Sequence, residues 1–280
     1  MADVVPFELV GGHFLSVPAR VGGSTDVRLL FDTGIGISVL STALAAALGC
    51  RPTGEAFTGR RMSGQKVVVP LSRLGSLELG PHRASDVPVG ILDFLPPRAS
   101  RPAEFAEVEG IVSSGLLDGR PFTLDGPNRS IVLEDDRSMT DRLRSGTSIP
   151  LRVDRTGPAV DLFVDLDLPS GSRATVEVDT GSGALILHSR YMPELGVRPG
   201  APGVRTVEGV DETHHAFTRH FARVTGPVRF SGVPASAREV GEVMFQEIIY
   251  DGLVGSSYLL ESAVTFDPRG SRAVVPTVVR

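Results

Sequence analysis

The chain contains a tandem repeat with a period of about half its length. An internal repeat constrains the fold more strongly than any single motif, because each copy must form the same structural unit. In chain order the main pairs are VPFELV (5–10) with IPLRVD (149–154), VRLLFDTG (27–34) with ATVEVDTG (174–181), EGIVSSGLL (109–117) with DGLVGSSYLL (251–260), and FTLDGPNRSIVL (122–133) with VTFDPRGSRAVV (264–275). Their order and spacing agree, so the sequence predicts a duplicated chain with two similar lobes.

Each copy indicates a mostly-β lobe. Short alternating apolar and polar segments are separated by turns about every 8 to 12 residues, a pattern typical of antiparallel β structure. A short helix is predicted from a Ser41 N-cap to Gly49, and another over residues 189–196. Residues 57–70 and 207–220 are predicted to form hairpins, and residues 96–107 a surface loop.

The fold class predicted is therefore all-β, mostly strands with a few short helices. The polar segment 135–148 connects two apolar strands and marks the boundary between the lobes. This gives an N-terminal lobe of residues 1–140 and a C-terminal lobe of residues 141–280.

An acid follows an apolar strand at the same point of both copies. Asp32 comes after Leu-Leu-Phe in LLFDTGIG, and Asp179 ends VEVDTGSG. A carboxylate beside a buried strand is costly unless it is paired, hydrogen-bonded or functional. If the lobes pack about a pseudo-two-fold axis, equivalent residues meet at that axis. We therefore expect Asp32 and Asp179 to face each other between the lobes.

Two facing carboxyl groups supply an acid and a base in one site. They do not both ionise readily, so one keeps its proton while the other is charged. The charged group can take a proton from water, and the neutral group can donate one to a carbonyl oxygen. The residues after each aspartate fit this use: Gly34 and Gly181 allow close approach of backbone N–H groups, and Thr33 and Thr180 can hydrogen-bond across the axis.

Over nearly its whole length the chain resembles the pepsin-like and retropepsin-like aspartic proteases, in a compact bacterial single-chain form with two DTG lobes. The second lobe is the better match, with VDTGSG followed downstream by Leu253, Val254 and Gly255. The resemblance implies a bilobal fold of two barrel-like lobes. It also implies that Asp32 and Asp179 are catalytic, with Thr33, Gly34, Thr180, Gly181 and Ser182 supporting their loops.

The resemblance further implies a β-hairpin flap over an extended peptide. The residues expected to form it are Gly59, Arg60, Arg61, Met62, Ser63 and Gly64, with a counterpart around residues 210–215. The function predicted is an aspartic endopeptidase, whose partner is a peptide or protein substrate held between the lobes.

Three features depart from the family pattern. Ser113 stands where the second lobe has Gly255, Ile35 follows the first DTG where Ser182 follows the second, and the first flap has no tyrosine. Ser113 and Ile35 are the sequence support for the alternative, a non-catalytic peptide-binding module that retains the protease fold. The retention of both aspartates argues against that alternative.

Other sites are not favoured by the sequence. His214, His215 and His220 lie in a polar hairpin without other ligands at metal spacing, so no metal or other cofactor is expected. The sequence has no Gly-x-Ser-x-Gly elbow and no phosphate-binding loop with its lysine. Cys50 is expected to be a packed or surface thiol. Asp125 and Asp267 recur at equivalent turns and are interpreted as structural.

Composition limits the class of partner. With 28 basic and 33 acidic residues, the formal net charge is −5, which does not favour binding to nucleic acid or to a membrane surface. The N-terminus does not resemble a signal peptide, and one cysteine allows no internal disulfide, so a cytoplasmic location is expected. A monomer is expected because one chain supplies both aspartates.

Overall fold

Strands dominate the computed structural model, which describes residues 2–210 and 215–277 and confirms the all-β class. The strands of the first half are β1 (Asp3–Pro6), β2 (Glu8–Val10), β3 (Phe14–Val21), β4 (Thr25–Asp32), β5 (Val39–Leu40), β6 (Arg51–Arg60), β7 (Lys66–Leu79), β8 (His82–Ile91), β9 (Val108–Ser113), β10 (Phe122–Asp125) and β11 (Ser130–Leu133). Those of the second half are β12 (Gly146–Pro150), β13 (Arg152–Thr156), β14 (Ala159–Asp167), β15 (Arg173–Val178), β16 (Ile186–His188), β17 (Val204–Val210), β18 (Ala216–Arg223), β19 (Arg229–Phe230), β20 (Glu242–Gln246), β21 (Gly252–Val254), β22 (Ala263–Asp267) and β23 (Arg272–Pro276).

Helices are short. The α-helices are α1 (Thr42–Ala47), α2 (Asp136–Ser145) and α3 (Ser256–Leu259), and 3₁₀ turns cover Arg98–Ser100, Ala103–Phe105, Ser114–Leu117, Ser189–Tyr191 and Pro234–Ser236. The Ser41 side chain accepts a hydrogen bond from the Leu44 N–H and caps α1, as predicted. No helix among the described residues has the length and apolar character needed to span a membrane.

The two lobes have the same strand order. The first-lobe sheet runs β2-β3-β4-β9-β5-β8-β7-β6, and β7 also pairs with β3, which curls the sheet into a barrel-like shape. The second-lobe sheet runs β13-β14-β15-β21-β16-β20-β18-β17, with β19 added on β14. The matched segments take the same places in the two orders, since β4 and β15 lead to the two DTG copies and β9 and β21 carry the EGIV and DGLV copies. The predicted duplication is therefore present in the fold.

A third sheet joins the two halves. Its order is β1-β11-β10-β22-β23-β12, and β10 pairs antiparallel with its own repeat, β22. Thr123 lies opposite its counterpart Thr265, with their hydroxyl oxygens 2.6 Å apart. A pseudo-two-fold axis therefore passes between these two threonines.

Alternation along β4 shows how the core is built beneath the site. Leu29 and Phe31 point into the main core, whereas Leu30 points to the opposite face and packs with Val10 and Val108. Phe31 also packs edge-on against Phe122 of the joining sheet at 5.8 Å. The residue before Asp32 is thus anchored in the joining sheet as well as in its own lobe.

One local prediction is wrong. Residues 189–196 form a 3₁₀ turn over Ser189–Tyr191 followed by further turns, not the predicted helix; Pro193 has no N–H to continue a helical ladder.

The connector 135–148 contains α2, which starts at a capping box between Asp135 and Ser138. The expected boundary between residues 140 and 141 falls inside this helix. Residues 96–107 form a largely exposed loop with two 3₁₀ turns.

Candidate active site

Both DTG loops emerge from the end of a central strand. β4 ends at Asp32 beside β9, and β15 ends just before Asp179 beside β21; both pairings are parallel. The apolar strands are held by core packing on one face, and this fixes where each aspartate leaves the sheet. The structure brings the two predicted aspartates together between the lobes.

The threonines of the two loops are interlocked. Thr33 and Thr180 are fully buried, and each backbone N–H donates to the hydroxyl of the other at 3.1 Å. The Thr33 hydroxyl donates to the Val178 carbonyl at 2.6 Å, and the Thr180 hydroxyl donates to the Phe31 carbonyl at 2.9 Å. These four hydrogen bonds join the lobes directly beneath Asp32 and Asp179, which we call the aspartate pair.

The glycines of the two loops allow the aspartate pair to approach. A Cβ atom on Gly34 would lie less than 3.0 Å from a carboxylate oxygen of Asp179, and one on Gly181 would lie equally close to Asp32. The Gly34 N–H donates to Asp32 Oδ1 at 2.8 Å, and the Gly181 N–H donates to Asp179 Oδ1 at 2.9 Å. The two carboxyl groups are within hydrogen-bonding reach of each other.

The environment of the aspartate pair favours one retained proton. Burial raises the pKa of both carboxyl groups, and burial together with the nearby Asp32 charge raises the pKa of Asp179 to about 8. Asp32 receives backbone hydrogen bonds from Gly34, Gly181 and Ile35, which favour its charged form, whereas Asp179 receives them from Gly181 and Ser182. The arrangement is that of a charged Asp32 beside a protonated Asp179.

This titration predicts how stability depends on pH. Because the folded-state pKa of Asp179 lies above its unfolded value, the folded protein binds more protons between about pH 4 and pH 8. The free energy of unfolding should therefore fall as the pH rises through that range, by about 1.4 kcal/mol per pH unit for one proton. Urea unfolding at several pH values should show a shallower slope for Asp179→Asn. Equal slopes would contradict the raised pKa.

The departures from the family pattern are accommodated within the loops. Ser113 is buried opposite Asp32, and its hydroxyl accepts the Gly115 N–H and caps the 3₁₀ turn that follows. Its backbone N–H donates to Ser38 Oγ at 3.1 Å. Ile35 keeps its backbone donor to Asp32. The Ser182 hydroxyl donates to the Ala184 carbonyl, so the support of Ser182 for Asp179 comes from its backbone.

The predicted flap is the hairpin of β6 and β7. Its tip closes with two backbone hydrogen bonds, from Arg61 N to Gln65 O and from Gly64 N to Arg61 O. Gly64 has a φ of +83°, which glycine adopts without strain. Gly59 and Arg60 end β6, and the Phe57 ring lies over Gly36 of the first DTG loop. The Ser63 hydroxyl is buried without a hydrogen-bond partner among the described residues.

The flap tip contacts the second lobe. The Ile249 N–H donates to the Met62 carbonyl at 2.8 Å, and Gly64 lies against the Ile249 side chain. The Met62 side chain packs against a cluster of four buried residues, Ile186, Met244, Ile248 and Leu253, against which Phe221 and Tyr250 also pack. We call the surface that these six residues form the Met62 pocket. The sequence did not predict this contact, because nothing in the hairpin pattern indicates which surface its tip reaches.

The second hairpin, β17 and β18, lies at the equivalent place of the second lobe. Its predicted tip includes residues 211–214, so His214 lies outside the described residues. The His220 ring is hydrogen-bonded to Thr206 Oγ1 at 2.9 Å. Among the residues that the structure describes, no cluster of three or more histidine, cysteine or acidic side chains could hold a metal ion.

Two further sequence interpretations agree with the structure. Asp125 accepts hydrogen bonds from Asn128, and Asp267 accepts them from Gly270 and Arg272, so both close turns of the joining sheet. Cys50 is partly buried and packs against the main core.

A third buried acid near the aspartate pair was missed from the sequence. Glu177 is 4% exposed and lies two residues before Asp179, near enough for the charge of Asp179 to act on it. Burial and the charges of Asp179, Asp161 and Asp32 raise its pKa well above the usual range. Comparison of the two repeats could have indicated Glu177, because the first lobe has Leu30 at this position and an acid replaces it in VEVDTG.

Comparison with known proteins gives a family match for the first lobe and a shared fold for the whole chain. A family described as aspartyl protease matches residues 17–118, from β3 to the end of the turn after β9. Two solved structures share the fold at 12% identity and a TM-score of 0.53, each covering 99% of this chain and 95% of its own: basic 7S globulin from soybean, and conglutin gamma, a basic 7S globulin from lupine seeds.

A curated relative gives no comparable support. A 3-phosphoshikimate 1-carboxyvinyltransferase of Anaeromyxobacter sp. (strain Fw109-5) is 27% identical over 187 residues, 64% of this chain. The match spans 42% of that protein's length. The family match in the first lobe and the shared bilobal fold agree with the interlocked DTG loops, and the chain is thus similar to the aspartyl proteases in its first lobe and to the two globulins in its overall fold.

Proposed function

We propose that the protein is an aspartic endopeptidase that hydrolyses an extended peptide held between its lobes. The observation that carries this proposal is the aspartate pair: two carboxyl groups within hydrogen-bonding reach, cradled by backbone N–H groups, one of them with its pKa raised to about 8. No cofactor is required for this chemistry, because the acid and the base are both supplied by the chain.

In the proposed reaction, Asp32 acts as the base and Asp179 as the acid. Asp32 takes a proton from water as the water oxygen bonds to the carbonyl carbon of the peptide bond, while Asp179 donates its proton to the carbonyl oxygen. The resulting gem-diol collapses when its nitrogen takes the proton from Asp32, the C–N bond breaks, and a hydroxyl proton returns to Asp179. The products are a carboxylic acid and an amine, and no covalent enzyme intermediate forms.

The flap is proposed to cover the bound peptide. It crosses the site from the Phe57 contact with Gly36 to the Met62 contact with the second lobe. Closing a flap over a substrate excludes bulk water and strengthens the electrostatic interactions beneath it. The site is complete within one chain, so we propose that the protein acts as a monomer.

The proposal is tested by incubating the protein with a denatured protein and with a peptide library between about pH 4 and 7. Internal peptide bonds should be cleaved, and a statine-type transition-state mimic should block the cleavage. Tight peptide binding with no cleavage at any pH would instead indicate a peptide-binding module. The full-length variant with both aspartates replaced by Asn serves as the control for a contaminating protease.

A further inference from the structure

Glu177 lies in a row of side chains that crosses the second-lobe sheet. Strand pairing places directly opposed residues side by side on the same face. Following the register from β14 through β15, β21, β16 and β20 to β18, the row consists of Phe163, Glu177, Leu253, Ile186, Met244 and Phe221. Glu177 is the one charged residue of these six. We call this set the second-lobe row.

The second-lobe row forms a wall of the Met62 pocket. Four of its members, Leu253, Ile186, Met244 and Phe221, belong to the cluster that the Met62 side chain enters. Tyr250 of the same cluster packs edge-on against Phe163, at the other side of Glu177, with ring centroids 5.2 Å apart. Glu177 is therefore between the Met62 pocket and Phe163 along the row, and Asp179 follows two residues later, just beyond the end of β15.

The Glu177 carboxyl has no partner within the described part of the chain. Glu177 is 96% buried, and no described residue forms a hydrogen bond or an ion pair with its side chain. Arg152 lies opposite Phe163 on β13, just beyond the row, with its guanidinium 3.9 Å from the Phe163 ring centroid and 3.5 Å from Asp154. Asp161 adds a further acidic group rather than a partner. Burial keeps such a carboxyl neutral, and a cation placed beside it would favour its charged form.

The first lobe shows that the fold does not require this acid. The equivalent row has Leu30 in the place of Glu177, paired with Ile111 and Ser16. Leu30 packs in an apolar cluster that includes Phe14 and Phe105. The acid is therefore specific to the second-lobe side of the site.

We propose that the Met62 pocket binds a side chain of the substrate next to the scissile bond, and that Glu177 gives this pocket a preference for lysine. The inference rests on the proposed peptidase function. Met62 stands in for the substrate side chain: it is long and unbranched, and lysine has the same unbranched shape with an ammonium group at its end. A lysine that replaces Met62 in the pocket lays its methylene groups against Leu253 and Ile186 and pairs its charge with Glu177. The flap tip must then move away from the second lobe when the substrate binds.

The experiment compares peptides that carry lysine or norleucine at each position flanking the cleaved bond. Norleucine has lysine's carbon chain without its charge. For the wild-type protein we expect kcat/KM to be roughly 10- to 100-fold higher for lysine at one of these positions, the range for a charged hydrogen bond. In Glu177→Gln and Glu177→Leu this ratio should fall to about 1 or below. Glu247→Gln removes an exposed acid of the same lobe and should keep the wild-type ratio.

Binding separates this inference from the proposed function. The Kd of uncleavable statine-type peptides with lysine or norleucine is measured by calorimetry, and thermal unfolding confirms that each variant is folded. A lysine preference in binding without cleavage by the wild type would support the Glu177 pocket and refute the peptidase. Cleavage with the same lysine-to-norleucine ratio in wild type and both Glu177 variants would support the peptidase and refute the lysine preference of the Glu177 pocket. Neither binding nor cleavage of any peptide would overturn both.

Discussion

Exchange of Asp179 for Asn, or of Asp32 for Asn, is expected to reduce kcat/KM for peptide hydrolysis by about 10³-fold or more. Loss of a positioned acid or base alone costs about 10²- to 10⁴-fold. Here each change also destroys the shared proton, because an amide neither ionises nor donates an acidic proton. The two single variants should be similarly inactive, and the double variant should be no worse than either, since the aspartates act as a unit.

The control for this prediction is Asp26→Asn. Asp26 is an exposed acid of the first lobe that pairs with Arg20, so its exchange changes the net charge equally but leaves the site intact. Its kcat/KM should equal that of the wild type. Stability provides a second check: Asp179→Asn removes a buried, ionisable group, so it should unfold at a urea concentration no lower than the wild type near pH 8. Cleavage at full rate by either single DTG variant would refute the mechanism.

Exchange of Thr180 for Val is expected to lower the free energy of unfolding by about 2 to 5 kcal/mol. The valine keeps the shape of the side chain but leaves the Thr33 N–H and the Phe31 carbonyl without their partner. Each buried group left unpaired costs about 1 to 3 kcal/mol. Thr33→Val should act in the same way through the Thr180 N–H and the Val178 carbonyl.

Conservative and double variants sharpen this second prediction. Thr180→Ser retains the hydroxyl and should lose less than half of the stability that Thr180→Val loses. Because the two threonines share one network, the double variant Thr33→Val/Thr180→Val should be less destabilised than the sum of the two single variants. Urea unfolding measures all four proteins. Destabilisation of Thr180→Val by less than about 0.5 kcal/mol, the scale of surface substitutions, would show that the interlock does not hold the lobes together.

The sequence repeat predicted most of the lobe architecture. An element that recurs in order must occupy the same place in both lobes, and this is why matching DTG, hairpin and strand segments gave equivalent strands. The meeting of Asp32 and Asp179 followed from pseudo-symmetry alone. The Ser41 cap could also be predicted, because its hydroxyl accepts a hydrogen bond from the N–H of Leu44, only three residues later in the sequence.

Contacts between distant segments could not be predicted from the sequence in the same way. The pairing of β10 with β22 joins strands near the C-terminal ends of the two halves, and no local pattern specifies that partner. The Met62 contact joins the tip of a first-lobe hairpin to Ile249 of the second lobe, 187 residues later in the chain, and the hairpin pattern does not indicate that partner. Glu177 was visible as an acid in an apolar strand. Its neighbours across the row became clear only once the register of five strand pairs was known.

The most direct test of the central claim is the pH dependence of kcat/KM for one good peptide substrate. If the aspartate pair works by holding one proton, activity must be lost when both groups are protonated and again when both are ionised. We therefore predict a bell-shaped profile, with its alkaline limb near pH 8 because the pKa of Asp179 is raised to about 8. A rate that stays constant from pH 4 to pH 9, or a profile unchanged in Asp179→Asn, would contradict the account.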